Sequence, residues 1–493
     1  MISNHSYRRL LNVLASAFMA ASMCCAGTAA IIHVPADYPT IQAALDAAAS
    51  GDEVVVAPGT YSGWVAGGAL QNVTLRSSDG PATTIINGAG DWTGIGSLNN
   101  TTQGFTFTGS GSGIGLFPSD DSTTEDCVFT GFETAIVTGN FNGPDVVRNC
   151  TFDGNGKGIN SVTELTVSNC TFRNHTNRAL ASGFGDLVVT DCLFENNSAN
   201  TSAAILIAGG GAMATITNTD FVGNAATAGD SGAVGGGSNN AITISGCTFT
   251  GNSAAGNGGA IATGVGTITL CTFNGNSANS GGALHLTGNA AANQCTVTEN
   301  HATTSGGGVW IDDNATLTQG AIDNNTTDGD GGGIACLGGV MSQCTITNNV
   351  ALGSGGGVHT PETTAELMNC ELSFNTAANG GGLSVESGAT LVATDSILCD
   401  NMPDEVAFEG GFIAVNVTTC SSQVAVGACC LPQGGCALLT ESDCMAVGGT
   451  YSGDETDCAM ADCPPACSGD TNSDGVVDVI DLLNVLAAWG SCL

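Results

Sequence analysis

A short phrase recurs through this chain, and its period dictates the architecture. Cys150-Thr-Phe152 is followed by Asn155, Cys247-Thr-Phe249 by Asn252, and Cys271-Thr-Phe273 by Asn276. Aligned on its first residue, the phrase falls at thirteen positions: Phe105, Cys127, Cys150, Cys170, Cys192, Thr219, Cys247, Cys271, Cys295, Gly320, Cys344, Cys370 and Ser396. They lie 20 to 28 residues apart, about 24 on average. A unit that short cannot bury an apolar face alone, so a fixed period in this range means copies stacked into a solenoid. Alternation within the phrase turns Cys and Phe inward, and the Ile or Leu after the glycines completes the interior. Parallel rungs about 4.8 Å apart would make thirteen copies a rod of roughly 60 Å.

Two further columns follow from the same alignment. Asn recurs five residues after the Cys position at Asn155, Asn197, Asn224, Asn252, Asn276, Asn300, Asn325, Asn349, Asn375 and Asn401. Stacked side-chain amides bond to the copies above and below, so an asparagine ladder is expected at this corner. Glycine pairs (Gly258-Gly259, Gly281-Gly282, Gly307-Gly308, Gly332-Gly333, Gly356-Gly357, Gly381-Gly382) mark a bend that needs positive φ or close backbone approach. Nine of the thirteen Cys positions are Cys. Neighbouring rungs hold Cβ atoms slightly too far apart for disulfides, so the column reads as buried small hydrophobes, with a reactive thiol array as the other reading.

Composition bounds the rest. Arg8 and Arg9, the apolar run Leu10 to Ala21 and the small residues Thr28-Ala29-Ala30 read as a secretory signal over 1–30. Cys24 and Cys25 invite a lipidated cysteine, but Met23 is too large for the residue before it, and cleavage near Ala30 is expected instead. No later run is apolar and long enough for a membrane helix. Beyond residue 30 the chain keeps all 44 acidic residues and five basic ones, a net charge of −39. Such a field repels nucleic acid, anionic lipid and polyanionic sugar and attracts cations. Nucleic acid is excluded as a partner.

The opening segment 31–75 contains Tyr38-Pro-Thr-Ile-Gln-Ala-Ala-Leu-Asp-Ala-Ala, with Ile41, Ala44, Leu45 and Ala48 on one helical face behind a capping Thr40. Val54-Val-Val and the turn Pro58-Gly-Thr-Tyr61 follow. This segment resembles the N-terminal cap of the pectate-lyase-like superfamily. The resemblance implies an all-β, right-handed parallel β-helix over 76–420 with a helix covering its open end. Phe-x-x-Asn followed by Gly-Gly-Ala-Ile, over about 190–400, resembles the repeat of chlamydial polymorphic outer membrane proteins. Those proteins end in a membrane β-barrel, and this chain shows no matching C-terminal run of strands.

Residues 421–466 change character, with Cys429, Cys430, Cys436, Cys444, Cys458 and Cys463 crowded together and Cys467 just beyond. In a secreted chain this reads as a disulfide-stapled module; the adjacent Cys429-Cys430 and irregular spacing suit zinc poorly. The last segment, 467–493, holds Asp470, Asn472, Asp474, Val476 (by its carbonyl), Asp478 and Asp481 at loop positions 1, 3, 5, 7, 9 and 12, with Gly475 at 6. Hard Ca²⁺ wants six to eight oxygens, and this spacing wraps them round one ion. The segment resembles one calcium repeat of a type I dockerin, with Leu482 to Gly490 as its short helix. Dockerins that dock into cohesins carry two repeats, and only one is present, so a cohesin partner is not expected. Cys467 and Cys492 bracket the unit and could clasp its ends.

Counting from the glycine pairs places Ala262, His285, Trp310, Ala335, His359 and Ser384 in one outward column, with Thr287, Asp312 and Glu386 two residues on. His285, Trp310, Asp312, His359 and Glu386 are therefore the candidate ligand-binding face: aromatic rings stack on sugars and carboxylates bond hydroxyls. Asp312 and Glu386 would lie three rungs apart, roughly 14 Å, beyond the ~9.5 Å limit for a glycosidase pair. Lys157, Arg173 and Arg178 form the one basic cluster, the candidate catalytic group if the chain were a polysaccharide lyase. The expected function is a secreted, calcium-binding surface or matrix protein presenting a face to polysaccharide or another cell-surface component. The alternative is a polysaccharide lyase or glycoside hydrolase carrying a dockerin-like appendage.

Overall fold

The computed structural model describes residues 28–463, apart from 63–64, 67–71, 89–93, 96–98, 119–120, 140–142, 238–239, 313, 421–426, 432–435, 440, 454–455, 457, 459–460 and 462. The signal segment, the calcium loop and the Cys467–Cys492 clasp lie outside the described residues.

The chain winds as a right-handed parallel β-helix. The Thr-Phe-Thr strands of successive coils pair in parallel in a 16-stranded sheet running from Gly59–Ser62 to Thr418–Thr419. Thirteen rungs were expected, and the excess lies at both ends. Tyr61 pairs with Ile86 and Ile86 with Phe107, so the first rungs fill the inward position without the Cys-Thr-Phe phrase. A 28-stranded sheet takes two strands from most coils, and a 7-stranded sheet from Ser198–Ala199 to Val350–Ala351 closes the third side over the middle coils.

The phrase does inside what its alternation dictates. Phe107, Phe129, Phe152, Phe172, Phe194, Phe221, Phe249 and Phe273 stack with ring centroids 4.6–5.1 Å apart and planes within 10°. That separation is the rung spacing, and it falls in the range of about 4.5–7 Å in which aromatic pairs attract. The free cysteines among the described residues are all buried, as the small-hydrophobe reading requires. Burial pushes the Cys295 and Cys336 thiols up to about 12, which disfavours a reactive thiolate at either.

The asparagine ladder is present. From Asn197 to Asn401 each Nδ2 donates to the Oδ1 of the next rung at 2.8–3.0 Å. Each of these amides is buried, so the ladder satisfies groups that would otherwise be costly. His175 stands in the column between Asn155 and Asn197 and interrupts it: its backbone N–H donates to Asn197 Oδ1, but its own Nε2 is buried without a partner.

The ends are closed differently. Helix α1 (Ile41–Ala47) is capped by Thr40, whose hydroxyl accepts from Ala43 N, and its Ile41, Ala44 and Leu45 join the core of the helix. At the other end Cys399 bonds to Cys420. Beyond it, a three-stranded antiparallel sheet and helix α2 (Glu441–Ala446) are stapled by Cys429–Cys444, Cys430–Cys463 and Cys436–Cys458. All six of these module cysteines are paired, so disulfides and not zinc hold it. No helix among the described residues is long and apolar enough to cross a membrane.

Candidate functional site

Five consecutive rungs build the face that the glycine frame singled out. Its strands are β1 (Leu284–Asn293), β2 (Val309–Asp312), β3 (Ile334–Leu337), β4 (Val358–Thr360) and β5 (Leu383–Val385). Register places His285 opposite Trp310, Trp310 opposite Ala335, Ala335 opposite His359 and His359 opposite Ser384. The expected column is therefore in place, rung by rung.

Its exposure differs from the expectation. Trp310 is half-buried, its Nε1 enclosed without a hydrogen-bond partner, and His359 is only 3% exposed. The glycine corner explains the burial of His359. Gly306, Gly331, Gly355 and Gly380 hold φ of 58–70°, and a Cβ on Gly355 would come within 2.8 Å of His359 Cβ. At His359 the column leans into space that a side chain on Gly355 would occupy, so it is recessed there rather than raised.

The upper part of the face is aromatic. His285 and Trp310 stack with centroids 5.7 Å apart and planes 8° from parallel. Burial pushes the His285 pKa down, against the pull of Asp230 and Asp312, and favours the neutral ring. A flat aromatic pair of this kind suits the apolar face of a sugar ring.

The lower part is a polar cluster in which Asp330 joins His359 and Glu386, the two members the glycine frame singled out. His359 Nε2 lies 3.5 Å from Glu386 Oε1, and one ligand atom from each of Asp330, His359 and Glu386 lies within 4.8 Å of the others. Asp330 precedes the glycine bend of the rung below and is steered by Ser354 N, which donates to its Oδ1 at 2.7 Å. Burial pushes the His359 pKa down, while Asp330 and Glu386 oppose that shift. Asp330 was overlooked because the column was counted forward from the glycines. The signal was there: Ser305 pairs with Asp330 and Ser354 with Asn379, a polar column immediately before the bend. Asp312 and Glu386 remain three rungs apart in register, as counted from sequence.

The basic candidates are not gathered on one sheet. Lys157 begins the strand Lys157–Ser161 of the 28-stranded sheet, whereas Arg173 projects from the 16-stranded sheet. Arg173 pairs with Asp153 at 2.9 Å and has Glu195 opposite it on the next rung. Arg178, at a φ of 90°, spends its guanidinium on the Ser202 and Thr201 carbonyls at 3.0 and 2.8 Å. A separate depression of ≈ 210 Å³ is lined by Gly143, Val162, Thr163, Glu164, Phe184 and Gly185. Glu164 is its single ionisable lining residue among the described residues, and the 72%-exposed Phe184 forms one wall.

Comparison with known proteins agrees with the architecture. The family described as right handed beta helix region matches residues 64–221 and 203–377, most of the chain, and the protein belongs to that family. A search of curated proteins found no match. Among solved structures, the chain is similar to a mutant of the periplasmic alginate epimerase AlgG, with 11% identity, 63% of this chain and 79% of that one covered and a TM-score of 0.44. It is also similar to the alginate lyase AlyF-OU02, with 11% identity, coverage of 85% and 89% and a TM-score of 0.33. A third similar structure is the catalytic unit of a GH87 alpha-1,3-glucanase from Streptomyces thermodiastaticus strain HF3-3, with 14% identity, coverage of 78% and 65% and a TM-score of 0.29.

Proposed function

We propose that this chain is an extracellular polysaccharide-active protein whose working face runs from His285 to Glu386. One observation carries the reading: a stacked His285–Trp310 platform adjoins a cluster in which a buried imidazole faces two carboxylates. The platform would seat sugar rings, and the cluster would meet charge or hydroxyls at the next ring along the rod. Titratable groups perturbed by burial and gathered beside a binding surface are where chemistry is commonly done. This favours turnover over the purely binding role that the sequence suggested, because Asp330 supplies the second carboxylate near Glu386 that Asp312 is too distant to be. The strongly acidic chain favours a neutral polysaccharide. The signal segment and disulfides support secretion. The calcium loop at Asp470, Asn472, Asp474, Val476, Asp478 and Asp481 is proposed as a separate structural site.

The test is release of reducing ends or unsaturated products from a panel of neutral and acidic polysaccharides. Activity on a neutral polymer that falls at least about 100-fold in Asp330→Asn and Glu386→Gln supports the reading. Activity lost instead in Lys157→Ala or Arg178→Ala would move the site to the basic pair.

A further inference from the structure

We propose that Asp330, His359 and Glu386 bind one first-row divalent cation of the zinc class. The three residues come from successive rungs, and the corner glycines Gly331 and Gly355 let the chain fold tightly enough to bring them together. Their ligand atoms, all within 4.8 Å of one another, would close to about 3.4 Å apart around a single ion held by bonds of about 2.0–2.2 Å.

Three observations separate this cluster from an ordinary acidic patch. His359 is 97% buried and turns its Nε2 toward Glu386, whose Oε1 at 3.5 Å is too far for a good hydrogen bond, so that nitrogen is poised to take an ion, while Nδ1 is buried without a partner among the described residues. A buried imidazole so poorly satisfied is costly in a folded protein unless something else engages it. Next, Asp330 is held in place by the Ser354 amide, an outer-shell contact of the kind that orients metal-binding carboxylates. Finally, the Glu386 side chain is 52% exposed, which leaves the cluster a side open to solvent. Three protein ligands with an open position match sites that bind and polarise a further ligand, whereas closed four-ligand sites are structural.

The donor set selects the cation. One imidazole nitrogen with two carboxylates suits zinc or manganese, while Ca²⁺ prefers an all-oxygen shell of six or more. His285, in the same column, provides the internal contrast. It stacks on Trp310, and no comparable group of three potential ligands surrounds it among the described residues. The long-range field of the acidic chain concentrates cations at the surface. An ion in this cluster would place a Lewis acid beside the aromatic platform.

The test is calorimetric titration of Zn²⁺ into the full chain in excess Ca²⁺, which fills the C-terminal loop. One saturable site is expected. Glu386→Gln should weaken it at least tenfold, and Asp330→Asn with Glu386→Gln should abolish it, with far-UV circular dichroism unchanged. Glu386 is exposed, so its substitution does not threaten folding. With Co²⁺ as probe, the bound ion should show ligand-field bands without a thiolate charge-transfer band. No Zn²⁺ uptake, uptake equal in wild type and both variants, or a thiolate band from the buried cysteines overturns the proposal. Zinc uptake by a protein that ignores every polysaccharide would sustain it while sinking the sugar reading.

Discussion

The interior of the spire and its glycine-corner face are built on the same rungs yet obey opposite rules. Inside, each rung copies its neighbour: Phe stacks on Phe over eight rungs, and Asn bonds to Asn from Asn197 to Asn401. On the face, the column reads His285, Trp310, Ala335, His359 and Ser384, and no two adjacent positions agree. Repetition serves a solenoid's stability, because each rung satisfies the next. Variation at one fixed position then costs little and can build a site. The two histidines show how far context decides: His285 meets an indole, His359 meets carboxylates.

That contrast can be broken by mutating each side and reading both stability and function. The largest effect is expected from Phe221→Ala, which opens a gap between Phe194 and Phe249 in the aromatic stack and should cost about 3–5 kcal/mol. Asn300→Ala removes a ladder amide that donates to Asn325 Oδ1 and accepts from Asn276, leaving buried groups unpaired at a cost of roughly 2–4 kcal/mol. Local hydrogen exchange around the mutated rung measures both, and polysaccharide turnover per folded molecule should be unchanged. Equal losses of turnover and protection would erase the distinction between interior and face.

A pH effect sharpens the interior side. Burial holds the His175 pKa down to about 4 from 6.5, so between these values the folded chain binds fewer protons there than the unfolded chain. Stability at this site is therefore complete above pH 6.5 and declines as pH falls toward 4. His175→Asn should complete the ladder between Asn155 and Asn197 and flatten the acid limb of a denaturation profile. An unchanged limb would locate the acid sensitivity elsewhere.

Much of the interior was legible in the sequence because period, Cys-Thr-Phe and Asn each impose one geometry. The outward column was legible too, since the glycines fix its register. Asp330 was legible only as one of the polar residues recurring before the glycines (Ser305, Asp330, Ser354, Asn379), because whether such a corner residue meets the column depends on the sharpness of a turn that spacing does not reveal. Burial of His359 was hidden because it depends on space left by the side chain that Gly355 lacks. The extra rungs at each end escaped because Tyr61, Ile86 and Thr419 do the inward work of Phe without the phrase.

The smallest effect is expected at the far end of the chain. The Asp470→Ala and Asp474→Ala double change should abolish calorimetric Ca²⁺ binding while leaving the spire's unfolding and the polysaccharide face untouched. Calcium binding that survives both changes would remove the loop assignment.

The role of the face is tested most directly by retention on immobilised neutral polysaccharide, measured by affinity electrophoresis for wild type and Trp310→Ala. Loss of the ring should remove about 1–3 kcal/mol of sugar binding, a drop of roughly 5- to 150-fold. Retention of the wild type that falls by this factor in Trp310→Ala, with hydrogen exchange of the neighbouring rungs preserved, is the expected result. Equal retention of the two proteins would contradict it and leave the face as a surface feature of a structural rod.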